Sequence, residues 1–177
     1  MLDATQALGW FDGPLAWADA VVASGYKWLL SPRGCAWMSI SERLGSGMTP
    51  RAANFYAGAN RWESIFGLPL RLADTARRFD SSPAWISHAG AAAALPWLAG
   101  LDRAEVHAHC VGLADSLLAG FGLEPRGNAI VSLDLGDKAD RLAAAGIRSS
   151  ARNGRARLAF YLHNTADDVA RVLDALA

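Results

Sequence analysis

Residues 24–34 read SGYKWLLSPRG, and the lysine at position 27 is flanked by Tyr26 and Trp28 in an otherwise apolar run. Lysine is among the side chains least often placed in such company. A lysine held in apolar surroundings gives up its proton more readily, and the neutral amine forms an imine with an aldehyde. Upstream, Asp3 and Gln6 stand in D-A-T-Q, at the end of a strand-like segment. An acid at one strand end and an amine at the next meet in one crevice when the two strands lie parallel. Near the other end, Arg152, Arg155 and Arg157 crowd a strand-like stretch, and a guanidinium is the side chain best shaped to grip a carboxylate. Cys35 and Cys110 are far apart and lie in no C-x-x-C or Cys/His cluster, which excludes a disulfide framework and a zinc site.

The elements that must position these groups follow from the pattern. Asp19–Ser24 is a continuous apolar run suited to a strand covered on both faces, and residues 35–41 form a second strand after a P-R-G turn. Residues 45–80 carry scattered Gly, Pro and aromatics without helical or strand period, and read as a long ordered connector. Ser82 before Pro83 is a candidate N-cap for an Ala-rich helix that ends at Gly100. Asp102 caps a second helix with Val106, Cys110, Leu113, Leu117 and Leu118 at helical spacing. Then come a strand over 129–135, a helix over 137–145, a strand over 154–162 and a last helix capped by Asn164-Thr165. Helix, strand, helix, strand, helix is an α+β layer arrangement.

At 177 residues, one ordinary domain's worth of core is available. Lys plus Arg and Asp plus Glu both count 17, so no net field draws the chain to nucleic acid or an anionic membrane. No window has the apolar length of a membrane span, no export signal is evident, and the unpaired cysteines suit the cytoplasm. Seven tryptophans imply that some aromatic surface serves an interface.

D-A-T-Q, a short strand and S-G-Y-K-W-L-L-S-P-R-G together resemble the class V aminotransferase group of pyridoxal-phosphate enzymes, which includes cysteine desulfurases, kynureninases and isopenicillin-N-epimerase-like proteins. A-R-R-F-D-S-S-P resembles that group's R-F-E-x-G-T-P segment, one residue shorter. G-R-A-R-L-A-F-Y-L-H-N-T resembles its C-terminal R-x-S-x-x-x-Y-N-T strand, with Arg157 at the usual serine position. The resemblance implies an α/β fold of type I. Residues 1–47 would then belong to the large cofactor-binding domain, 48–100 to a connector and interface helix, and 101–177 to a small C-terminal α+β domain. It also implies pyridoxal 5'-phosphate held covalently by Lys27, with Asp3 at the pyridine nitrogen and Gln6 at the phenolic oxygen. Ser24 and Tyr26 would contact the phosphate, and Ser82, or its neighbour Ser81, would reach the phosphate of the partner subunit in a homodimer. Arg155 would bind the carboxylate of an amino-acid substrate. Cysteine desulfurases place a cysteine shortly before that arginine, and residues 136–155 contain none. The expected reaction is therefore transamination, epimerisation or carbon–carbon lysis rather than persulfide chemistry. Family chains are about twice as long, so this sequence is expected to match their C-terminal half. A half-sheet of that kind exposes apolar surface, and a chain presenting it is unstable alone or dimerises. The alternative is a non-catalytic remnant that serves as an oligomerisation or partner-binding domain.

Overall fold

The computed structural model describes residues 1–177, apart from the side chain of residue 137. The chain divides into two compact units, one of Met1–Gly9 with Gly13–Gly100 and the other of Trp10–Asp12 with Leu101–Ala177.

The first unit is organised by a three-stranded sheet in the order β1-β2-β3, with β1 Leu2–Asp3, β2 Ala20–Ser24 and β3 Ala36–Ile40. β1 runs parallel to β2, pairing Leu2 with Val21 and Asp3 with Val22, and β3 runs antiparallel to β2. Coverage of β2 is less complete than its apolar run suggests: Ala20 and Ala23 are buried, whereas Val21 and Val22 are only half-buried. On one face an open groove lined by Leu8, Leu15, Val21, Trp37 and Ile40 leaves Val21 uncovered. β2 stops at Gly25, where a Cβ would lie 2.6 Å from the Trp37 ring, so this turn accepts no larger residue without a shift. Ser41 caps the short helix α1 (Glu42–Gly45), an element without a sequence signal strong enough to predict it.

From there to the next helix the chain has two 3-10 turns, Phe55–Ala57 and Ala76–Phe79, and one isolated bridge between Gly58 and Leu72, in keeping with a connector. Helix α2 spans Trp85–Ala99 and ends at Gly100. Its N-cap is Ala84, not Ser82, and no side chain caps it. The chain runs without helix or strand through residues 80–84. The first turn is held instead by Ser87 Oγ, which donates to Arg33 O at 2.7 Å.

In the second unit, α3 (Arg103–Gly120), β4 (Ile130–Leu133), α4 (Ala139–Ala144), β5 (Ser150–Arg152), β6 (Arg155–Ala159) and α5 (Ala166–Leu176) form a helix-covered antiparallel sheet in the order β4-β6-β5. Asp102 caps α3 by accepting from the N–H groups of Ala104 and Glu105 at 2.8 and 3.0 Å. Thr165 and Asp168 form a reciprocal capping box on α5. Leu117, Leu118, Val131, Leu142, Leu158 and Leu176 meet in one core. Each fully buried aliphatic side chain of this kind stabilises the unit by about 2 kcal/mol.

Strand β5 and its hairpin were not expected. Asn153 and Gly154 lie at φ +50° and +73°, the two-residue turn that right-twisted antiparallel strands favour. The strand expected over 154–162 is shorter, because β6 leaves the ladder after Ala159.

Candidate functional site

The D-A-T-Q segment turns sharply at the carboxyl end of β1. Ala4, only 2% exposed, donates its N–H to Val22 O at 2.8 Å, which completes the parallel pairing. Its own carbonyl accepts from Ala7 N and Leu8 N, so the backbone closes a helical turn that presents Gln6 on the exposed side. Asp3 Oδ1 accepts the N–H of Thr5 at 2.9 Å. Thr5 Oγ1 in turn accepts the N–H of Ser24 at 3.1 Å, joining the ends of the two strands through a side chain.

The segment after β2 is a compact turn. Gly25 donates to Cys35 O and Ser31 donates back to Gly25 O, both at 2.9 Å, while Leu30 donates to Lys27 O at 3.0 Å. Trp28 points into the unit and is 6% exposed. Lys27 is half-buried rather than enclosed, because its other neighbour, Tyr26, lies on the surface with the Arg33 guanidinium 4.2 Å from its ring centroid. The Lys27 Nζ lies 5.8 Å from the same centroid.

Asp3 and Lys27 therefore stand at one edge, the carboxyl ends of a parallel strand pair, where open α/β sheets place ligands. The Asp3 carboxyl is held below its ordinary value, first by the Thr5 hydroxyl and then by the Thr5 N–H, against the opposing effect of desolvation, with the charge of Lys27 adding the smallest contribution. Thr5 is the residue that sequence reasoning missed. Its signal was the Asp-x-Thr spacing, which lets a backbone N–H and a hydroxyl serve one carboxylate.

Ser82 lies in the same unit but on the segment before α2, and its Oγ accepts from Asn54 Nδ2 at 3.4 Å. Among the described residues no hydrogen bond links it to Ser24, Tyr26 or Lys27. Arg155 belongs to the second unit as the first residue of β6. It is half-buried, and its Nε and Nη2 donate to Ser132 Oγ and Ser132 O at 3.3 and 3.0 Å. That grip fixes the guanidinium plane on the sheet surface.

Both cysteines are buried. Cys35 Sγ lies 3.6 Å from His88 Nδ1, a contact across 53 residues that no local pattern announces. Cys110 is fully buried in α3, and desolvation pushes its thiol up to about 11. Among the described residues no group of His, Cys, Asp or Glu could hold a metal ion, and no helix is long and apolar enough to cross a membrane.

No family model and no curated protein matches the sequence. Solved structures do match the fold. The cysteine desulfurase CsdA of Escherichia coli superposes with a TM-score of 0.80 at 18% identity, over 99% of this chain and 50% of that one. A cysteine desulfurase of Thermococcus onnurineus NA1 gives 0.79 at 18% identity, over 98% and 50%. The cystine C-S lyase C-DES, in complex with its product cysteine persulfide, gives 0.82 at 17% identity, over 97% and 50%. Another C-DES structure holds glycine covalently linked to its pyridoxal-phosphate cofactor. The chain spans about half the length of the solved structures it matches, and its fold is that of the C-terminal half of these class V, fold type I enzymes.

Proposed function

We propose that this chain carries part of the active site of a pyridoxal-phosphate enzyme acting on an α-amino acid as a transaminase, epimerase or lyase. The observation that carries this reading is the placement of Asp3 and Lys27 at one carboxyl edge, with Thr5 bonded to the Asp3 carboxylate. These residues fit the group: its ring nitrogen takes a carboxylate partner, and its aldehyde takes a primary amine. When bound, the cofactor supplies an electron sink for negative charge developing at the substrate Cα.

The remaining work falls to this chain's side chains. Lys27 anchors the cofactor through its amine and moves the proton at the substrate Cα. Asp3 keeps the ring nitrogen protonated, because a carboxylate beside it favours the cationic form. Gln6 donates toward the phenolic oxygen, and the hydroxyls of Ser24 and Tyr26 donate toward the phosphate. Ser82 reaches the phosphate of the partner subunit in a homodimer. Arg155, oriented by Ser132, binds the substrate carboxylate. Desulfuration through a persulfide on a protein thiol is not assigned, since a thiolate is the attacking species there and both thiols of this chain are buried.

The test is an absorbance titration of the full chain with pyridoxal phosphate. A visible band of lysine-bound cofactor, lost in Lys27→Ala, is expected; no band, or one indifferent to the substitution, removes the reading. A second reading, a non-catalytic binding domain, is favoured by Trp62, Phe66 and Leu68, which are 80, 89 and 93% exposed on one connector loop. Turnover of any amino acid by the cofactor-loaded chain would exclude it.

A further inference from the structure

The open face of the second unit's sheet is unusually cationic. Along β6, Ala156 and Leu158 point into the core, so Arg155 and Arg157 point the other way. Cross-strand register places Arg152 of β5 directly opposite Arg155, and sets Arg157 between Ser132 of β4 and Ser150 of β5. Three guanidiniums and two hydroxyls thus share one face. Among the described residues none of the three arginines has a carboxylate within ion-pair distance, since every salt bridge lies elsewhere. Arg155 is held by Ser132, whereas the guanidiniums of Arg152 and Arg157 have no hydrogen-bond partner among the described residues.

Like charges directly opposite in an antiparallel pair are destabilising, and here a third lies two residues along. Arg155 and Arg157 are moreover half-buried, which raises the cost of leaving their charges uncompensated. An anion seated on the face offsets both costs. Residues i and i+2 of a strand are about 7 Å apart, and the long arginine stems can converge from there on two acidic groups separated by a few carbons.

We infer that Arg157, together with Arg152, forms a second anion-binding position beside Arg155, so that the substrate is an α-amino acid whose side chain carries a second anionic group. The inference rests on the reading of Arg155 as the α-carboxylate site. Arg155 takes the α-carboxylate, and Arg157 and Arg152 take the side-chain carboxylate or phosphate-type group. Ser132 and Ser150 keep the arginine row polar without neutralising it.

The test uses the isotope-labelled full chain without cofactor, with arginine Nε–H resonances followed during titration with glutarate, 3-phosphonopropionate and butyrate. At least one dianion should bind at least tenfold more tightly than butyrate and shift Arg155 and Arg157 together; the tighter of the two identifies the side-chain group. Arg157→Ser should bring the dianions down to the butyrate level and leave butyrate within twofold. Arg157→Lys should retain part of the preference, and serves in place of the serine variant should that one fail to fold. Equal binding of all three acids, or a dianion preference that survives Arg157→Ser in a chain with an intact amide spectrum, overturns the proposal. Since no cofactor is present, the outcomes separate cleanly. A dianion preference without a visible cofactor band leaves the anion site and removes the enzyme reading, and the reverse result leaves the enzyme and removes this substrate class.

Discussion

Thr5 accepts the backbone N–H of Ser24 through Oγ1 at 3.1 Å while its own N–H and hydroxyl serve the Asp3 carboxylate. One side chain therefore couples the ends of β1 and β2, and with them the acid and the turn that carries the lysine. The strands alone set only the register. Thr5 orients the Asp3 carboxylate and favours its ionised form.

Thr5→Val keeps the shape of this residue and removes its hydroxyl. The Ser24 N–H loses its acceptor, and a net loss of about 1 kcal/mol is expected from chemical denaturation. The Asp3 carboxyl should rise toward its ordinary value, read as a shift in its carbon-13 titration curve. A wild-type titration curve in the variant would show that Thr5 does not govern the acid.

The depressed carboxyls make the chain acid-sensitive with a definite sign. Asp168 is held low first by the Asn164 side chain, then by the Thr165 N–H, with Arg171 and His163 adding smaller effects, and Asp3 is held low as described. A carboxyl whose folded value lies below its ordinary 3.8 contributes stability that is present above that pH and lost as pH falls through the folded value. Stability should therefore drop below about pH 4, and Asp168→Asn should flatten the drop in acid titrations followed by circular dichroism. An unchanged acid limb would count against the capping box as its source.

Much of this arrangement was legible in the sequence because its signals are local. The short apolar run ending at Ser24 and the turn after it placed Lys27 at a strand end, and D-A-T-Q placed Asp3 at another. Asp102 and the Asn164-Thr165 pair are legible as caps because a side chain one turn from its target needs no tertiary partner. What was missed depends on distant residues or on weak composition. Ser82 has the right neighbours for a cap, but α2 begins later, where Ser87 meets the carbonyl of Arg33. The contact between Cys35 and His88 has no sequence shadow. β5 was overlooked because Ser150–Arg152 carries almost no apolar residue, although the Asn153-Gly154 pair that follows is a strong hairpin signal.

The two cysteines give a direct check on burial. Cys110 is fully buried with its thiol pushed up to about 11, and Cys35 is 2% exposed. Neither should react with a disulfide reagent at pH 8 in the folded chain, and both should react once it is unfolded in denaturant. Rapid labelling of either in the native state would contradict the packing of α3, or of the turn before β3.

The hairpin between β5 and β6 sets the arginine face, so its turn should control both stability and anion binding. Asn153 and Gly154 both adopt positive φ, a conformation that glycine enters freely and a Cβ disfavours. Gly154→Ala keeps the open space around that position, since nothing lies within 4 Å of the added carbon, so its cost is conformational alone. A loss of about 1–2 kcal/mol is expected in denaturation. Because the turn fixes the register that sets Arg152 opposite Arg155, any slip moves Arg152 off the face it shares with Arg155 and Arg157. A variant that loses stability while its arginine resonances respond to glutarate as before would show that the ladder, not the turn, holds the register.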